Sequence, residues 1–354
     1  MKPRAFAPLA VLALACAIAW WLARGPFLAA YLAAWWFCAG LMMGGLANVW
    51  IHNLTGGAWG EAIRAPLLAI AGRCWLLALL FVPVLLGMHA LYPWAAEADA
   101  GVQRWAGELE PGSAQFKSAW LAPWFFVVRS LAYLALWLAL AHFSRRPALS
   151  RSPRFAAAAL IVYGFSVSLA SVDWIMSLEP LWYSSVFGLL TGVGQMLSGM
   201  ALAIVLTACM RARPEPGVFR DLGNLLLMYV MTWAYLAFCQ FLIIWSANLP
   251  HEIAWYLRRQ QGGWPVVAWA LALFHFALPL VILLFRSAKQ APAVLGALAA
   301  ALLAFHLVEI WWLILPARAG GWLQRLWALP LATLFAGAVA LAARPAETAE
   351  VQGG

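Results

Sequence analysis

The residues with the greatest chemical potential lie inside apolar sequence. Asp173 and Glu179 sit in the stretch Ala170–Ser185, in a chain with only 13 acidic residues. Apolar runs long enough to cross a membrane lie on both sides. Carboxylates beside hydrocarbon are costly and mark candidate functional sites. Pro180 breaks the helix, so the stretch reads as a turn at the membrane surface, with one acid closing a helix and the other opening the turn. Trp174, Trp182, Tyr183 and Phe187 suit an interfacial aromatic belt. Two chemistries fit: a capped turn with an aromatic belt, or a polar site that handles protons or a polar headgroup.

Other polar residues lie deeper. Arg129, within Trp124–Leu131, falls about three turns into a span, where an unpaired Arg is expensive. Its expected partner is Asp173 or Glu179. His306 and Glu309 are three residues apart and share one helix face. A Glu within a span is a functional candidate by default. The expectation is a single outer-half network of Asp173, Glu179 and Arg129, continued by Glu309 and His306. A carboxylate between an apolar phase and a nearby Arg can trade a proton near neutral pH. Gln240, Gln195 and Ser198 extend a polar track or act as interhelical glue. His275 is mid-span and His142 lies near a span end. His52 and Glu61 form either a proton entry or ordinary surface. Asp221 and Asn224 read as capping at the start of a span.

These residues must be positioned by helices in lipid. The 354-residue chain is 66% hydrophobic and 10% charged, with mean hydropathy +0.85. Soluble domains carry about 25% charged residues, so the chain reads as an all-α polytopic membrane protein. Ten segments reach the roughly 20 apolar residues a span needs: 5–23, 27–50, 70–93, 119–143, 155–176, 182–209, 222–246, 264–286, 292–316 and 325–343. They are expected to form one integral membrane domain over 1–354, with a hint that 27–176 and 182–316 are two four-helix bundles flanked by 5–23 and 325–343. The run after Lys2 and Arg4 is too long and bulky for a cleaved signal and reads as the first span. Of the 22 Lys and Arg residues, 14 fall on one side, seven on the other, and Arg129 within a span. The basic excess places both termini in the cytoplasm. The net charge of +9 thus reports topology, not nucleic-acid binding.

Trp59 to Arg73 reads as a short amphipathic helix on the inner surface. The loop at about 95–117 is polar enough to be a lid or docking surface. Most of the 23 Trp residues are expected at interfaces. Gly40, Gly44 and Gly45 in one span, and Gly188, Gly192, Gly194 and Gly199 in another, mark close helix packing and hint at a repeat. The five cysteines (Cys16, Cys38, Cys74, Cys209, Cys239) stand singly and read as buried hydrophobes rather than metal or disulfide partners. No span carries the paired histidines of a haem bundle. No Walker, GxGxxG or nucleophile-elbow motif is present. No covalent or metal-ligated cofactor is therefore expected.

The run Asp173–Ser184 (DWIMSLEPLWYS) resembles the signature of the F-subunit family of alternative complex III, a bacterial quinol:cytochrome c oxidoreductase. His52–Gly60 (HNLTGGAWG), Asp221–Asn248 with Pro250-His251-Glu252, and Phe274–Pro279 agree with it. The wider resemblance is to NrfD-like, polysulfide-reductase membrane anchors. It implies two four-helix bundles plus flanking helices in the bacterial cytoplasmic (inner) membrane. It also implies a subunit without a redox centre or catalytic centre of its own. Haem and iron–sulfur subunits would carry electrons, and an NrfD-like paralogue would sit alongside in the lipid bilayer. The chain would shape a quinone/quinol site or a proton pathway. Asp173, Glu179, Arg129 and His52 are the residues carried over, because they lie in matching motifs. The competing functions are a secondary transporter and a structural anchor for a periplasmic oxidoreductase.

Overall fold

The computed structural model describes residues 20–21, 23–96, 111–210 and 214–317. The expected spans 5–23 and 325–343, and most of the 95–117 loop, lie largely outside the described residues. Every described element is helical, with no strand among the described residues. The principal helices are α1 (Arg24–Thr55), α2 (Ala58–Ala71), α3 (Trp75–Leu86), α4 (Pro111–Trp120), α5 (Pro123–Ser144), α6 (Pro153–Trp174), α7 (Phe187–Ala208), α8 (Pro216–Ala247), α9 (Pro250–Arg258), α10 (Trp264–Leu284) and α11 (Pro292–Ile314). Seven helices are long and apolar enough to cross a membrane, or eight if the bent pair α2–α3 is one span. The chain is thus all-α and polytopic, and each of these helices overlaps an expected span.

Proline sets most of the starts. It stands in the first turn of α5, α6, α8, α9, α10 and α11, where its missing N–H has no intrahelical partner to lose. Ser152 caps α6 by accepting from the Phe155 N–H. Asn248 ends α8 in the left-handed conformation (φ 50°), a common helix stop.

Helix α1 is the hub. Its most apolar stretch is completely buried, and it packs on α2, α3, α6, α7 and α11. Its tightest partner is α7, because glycines remove the side chains between them. A Cβ on Gly44 would lie 1.8 Å from the Gln195 carbonyl oxygen, and one on Gly199 would lie 2.3 Å from the Gly44 carbonyl carbon. Backbone touches backbone there, as small residues allow in lipid.

Two apolar clusters flank this contact. One joins α1 to α3, α5 and α6; the other joins α7 to α8, α11 and α2. The first is largely aromatic. Trp35, Trp137, Trp174 and Phe81 form one group whose neighbouring rings lie 4.5–6.5 Å apart between centroids. Each indole N–H is satisfied: Trp35 on the Leu77 carbonyl, Trp137 on Ser166, Trp174 on Ser130. These tryptophans serve the core, whereas Trp21, Trp75, Trp124, Trp245 and Trp269 are exposed. Trp174, Trp182 and Phe187 are buried, and of that belt only Tyr183 is exposed.

Helix α2 is amphipathic, as expected, and its apolar face meets protein. Trp59, Ile63, Leu67 and Ile70 are buried at three- and four-residue spacing, and the helix packs on α1, α7 and α8. A 48° bend then leads into α3. Cys38 and Cys74 are buried, but Cys209 is exposed and Cys239 half-buried, against the expectation of burial for all.

The helix ends gather at two faces. At one, Tyr92 donates to the Trp174 carbonyl and Arg259 to the carbonyls of Trp312 and Leu313. At the other, Asn53 donates to the Ser150 carbonyl and Lys289 to Asn224.

Candidate functional site

The expected single network separates into three. Each centres on one buried carboxylate, and these are the only buried acids among the described residues.

The first centre is Asp173, in the last turn of α6 and inaccessible to solvent. Arg129 of α5 grips it with two parallel bonds, Nε to Oδ2 at 2.8 Å and a terminal nitrogen to Oδ1 at 2.9 Å. Trp120 donates its indole N–H to Oδ1 and Tyr133 its hydroxyl to Oδ2, each at 2.9 Å. The guanidinium lies over the rings of Trp120 and Phe125, 4.1 and 4.3 Å from their centroids. Four donors saturate the carboxylate. This geometry fixes the carboxylate and its donors relative to one another. Asp173 therefore acts as a positioning group for Trp120, Tyr133 and Arg129.

The second centre is Glu179, and here the structure corrects the sequence reading. Glu179 does not meet Arg129. Its oxygens pair with Arg258 and Arg259, each at 3.1 Å. Arg259 is buried, lies 3.4 Å from the Trp255 ring centroid, and donates to three carbonyls, those of Trp255, Trp312 and Leu313. Burial pulls its pKa down to about 10 while Glu179 works the other way, so it stays charged at neutral pH. Together Glu179 and Arg259 tie the turn after α6 to α9 and to the end of α11.

The third centre is Glu309, also separate from Asp173. Its Oε1 accepts from the Trp233 indole of α8 at 2.6 Å, and its Oε2 lies 2.8 Å from His306 Nδ1. His275 of α10 completes the group. Its ring stacks on His306 at 6.0 Å between centroids and meets Trp233 edge-on at 4.3 Å. All three ionisable side chains are buried.

His275 lies in a π-helical segment, Leu271–Ala277. Pro279, four residues on, offers no N–H to the His275 carbonyl, which breaks the ordinary α register. Such segments frequently occur at functional sites.

The other candidates are structural or peripheral. Gln240 accepts from Ser184 at 3.1 Å. Gln195 accepts from Tyr163, and Ser198 bonds the Gln195 carbonyl. His52 closes the turn after α1: its Nε2 lies 3.0 Å from the Gly57 carbonyl oxygen and its ring stands edge-on to Trp59. Gly57 has φ 100°, and a Cβ on Gly60 would strike the His52 ring at 1.9 Å. The glycines of His52–Gly60 therefore serve the fold of that turn. Glu61 is 4.0 Å from His52 and is gripped by Arg151. Asp221 does not cap a helix, because α8 begins at Pro216; it meets Arg220 instead. His142 accepts from Arg146.

Sequence reasoning missed Trp120, Tyr133 and Trp233, whose polar tips complete the carboxylate sites. It also missed Asn48 of α1, which is buried, accepts from Tyr229 and donates to the carbonyls of Gly44 and Met196. A lone Asn in an apolar run is the signal that was available for it.

Beside the Asp173 centre is a cavity of about 940 Å³ between α4 and the turn after α6. Trp120, Leu121, Leu169, Val172, Met176, Ser177, Trp182 and Tyr183 are in its wall, with Lys117 and His251 as its basic side chains. Burial pulls the Lys117 pKa down. Ser177 bonds the Asp173 carbonyl, so two wall residues hang on Asp173. A second cavity of about 510 Å³ shares Pro180, Leu181, Trp182 and His251 with the first and reaches Glu179 and Arg258.

No known family model and no curated protein matches this chain.

Proposed function

We propose that this chain is an integral membrane subunit of a quinol:electron-acceptor oxidoreductase, and that it shapes the quinol site. In this reading the fold is the NrfD-like one: ten spans, two four-helix bundles and two flanking helices, both termini cytoplasmic, in a bacterial inner membrane. The two apolar clusters on either side of the α1–α7 contact support the two-bundle part. Electrons would pass to haem and iron–sulfur partner subunits, and an NrfD-like paralogue would share the bilayer.

The observation that carries the reading is the cavity beside Asp173. Its volume falls in the range of ligand sites, which are mostly apolar with a few placed polar groups. An apolar wall suits a quinone ring and tail. His251, Lys117 and Tyr183 are the polar groups that can meet ring oxygens. Quinol oxidation releases two protons with two electrons, so a proton acceptor must face the ring. Asp173 holds Trp120 in the wall. The Glu309, His306 and His275 group does not line this cavity.

The test is made on the complex purified from its native membrane, with its subunits identified. Tyr183→Leu and His251→Ala, each at the wall and hydrogen-bonded to none of the three carboxylates, should lower quinol:acceptor turnover at least tenfold in an assembled complex. Undiminished turnover in both would sink the quinol-site reading. Undiminished turnover in Asp173→Asn and Glu309→Gln as well would favour a structural anchor.

A further inference from the structure

The three buried carboxylates differ in what neutralises them. Asp173 has Arg129, and Glu179 has Arg258 and Arg259. Glu309 has neither Arg nor Lys among the described residues. It faces only imidazoles and one indole N–H. A buried charge is normally paired or bound to a metal ion.

His306 Nδ1 meets one oxygen of Glu309, and this leaves His275 unexplained. His275 is inaccessible to solvent, and neither ring nitrogen has a hydrogen-bond partner; His306 Nε2 also has none. Two imidazoles with unpartnered nitrogens against one carboxylate is an unusual thing to bury, because buried polar groups are nearly always satisfied.

The distances resolve it. One ligand atom from each of His275, His306 and Glu309 lies within 4.8 Å of the other two. Three ligand atoms that close need only small side-chain shifts to surround one ion at metal–nitrogen and metal–oxygen distances of about 2.0–2.2 Å. Two His and one Glu, with a further position free, is a ligand set used by borderline divalent transition ions. The surroundings hold the ligands in place. Trp233 donates to the Glu309 oxygen nearest it, and Gly194 leaves room for His306, since a Cβ there would lie 2.8 Å from the imidazole Cε1. The π-helical register presents His275 from the third helix.

We propose that His275, His306 and Glu309 form a binding site for one divalent transition-metal ion of the zinc class, buried between α8, α10 and α11. The proposal departs from the expectation from the sequence that no metal is ligated. It does not rest on the quinol reading, and either can fail alone.

The full chain, purified in detergent from cells grown with zinc, is analysed for Zn, Fe, Mn, Co, Ni and Cu by element-resolved mass spectrometry. About one divalent ion per chain is expected. A chelator-treated sample titrated with Co²⁺ should develop visible d–d absorption that saturates near one equivalent. His275→Gln and Glu309→Gln, checked for native helicity and a single size-exclusion peak, should abolish the saturable band. Trp233→Phe, which removes only the group behind Glu309, should weaken affinity about 10- to 100-fold. Trp233→Phe keeps the metal count readable if either ligand variant fails to fold. The proposal is overturned if wild-type protein holds less than about a fifth of an equivalent of any such ion and shows no saturable Co²⁺ band. It is equally overturned if folded ligand variants, or Trp233→Phe, bind metal as tightly as wild type.

Discussion

Gly44 and Gly199 face each other where α1 crosses α7, so closely that a Cβ on Gly199 would lie 2.3 Å from the Gly44 carbonyl carbon. The obstacle is backbone, which cannot rotate away as a side chain can. This contact joins the two halves of the apolar core.

Adding a methyl group there should therefore be costly. Gly44→Ala and Gly199→Ala are expected to destabilise the protein by at least the roughly 1–3 kcal/mol typical of overpacking. Gly164→Ala, in α6 with nothing within 4 Å of its Cβ, is the control. It should be neutral or stabilising by up to about 1 kcal/mol through helix propensity. Midpoints of thermal unfolding in detergent decide it: equal midpoints for all three variants would show that the α1–α7 contact has room to spread.

Glu179 offers a comparison within one carboxylate. Arg258 is half exposed and Arg259 is buried, yet both pair with it at 3.1 Å. Loss of Arg258 to Ala should cost no more than about 1 kcal/mol, because solvent screens exposed pairs. Arg259→Lys keeps the charge but cannot reproduce a planar fork that reaches Glu179, Trp312 and Leu313 together. A loss of about 3 kcal/mol is expected, since a buried carboxylate and two carbonyls lose donors. The same midpoint shift for Arg258→Ala and Arg259→Lys would refute this division.

The helices were legible because hydropathy reports length in lipid. Every described span-length helix coincides with an expected segment, from Arg24–Thr55 to Pro292–Ala317. Which helix is central was not legible. Helix α1 is apolar on all sides, and in lipid a buried face and a lipid-facing one have the same composition. Only Gly40, Gly44 and Gly45 hinted at it. The tryptophans misled for a related reason: an indole serves an interface or a core equally well if its N–H finds an oxygen, and Ser130, Ser144 and Ser166 supply those oxygens. The link from Arg129 to Asp173 was legible because an unpaired Arg at depth must find an acid. The partner of Glu179 was not, since Arg258 and Arg259 read as loop charges. Nor was the approach of His275 to His306 and Glu309, which depends on a local π register in another helix.

The pair Arg129 and Asp173 gives the last prediction. Either single replacement, Arg129→Met or Asp173→Leu, leaves one buried charge without its partner, which costs about 3–5 kcal/mol. The double variant removes both charges. It still leaves the Trp120 indole and the Tyr133 hydroxyl without their acceptor, so stability should not return fully to that of wild type. Its loss should nevertheless fall short of the sum of the single losses by several kcal/mol, where independent sites add to within about 0.5 kcal/mol. Additive losses would mean that Asp173 is held by its neutral donors and that Arg129 is incidental. On the quinol-site proposal, a double variant that folds well and loses turnover would separate stability from the anchoring of Trp120. Arg129 and Asp173 would then be replaceable as a pair for stability, while the anchoring of Trp120 in the cavity wall would require the carboxylate itself.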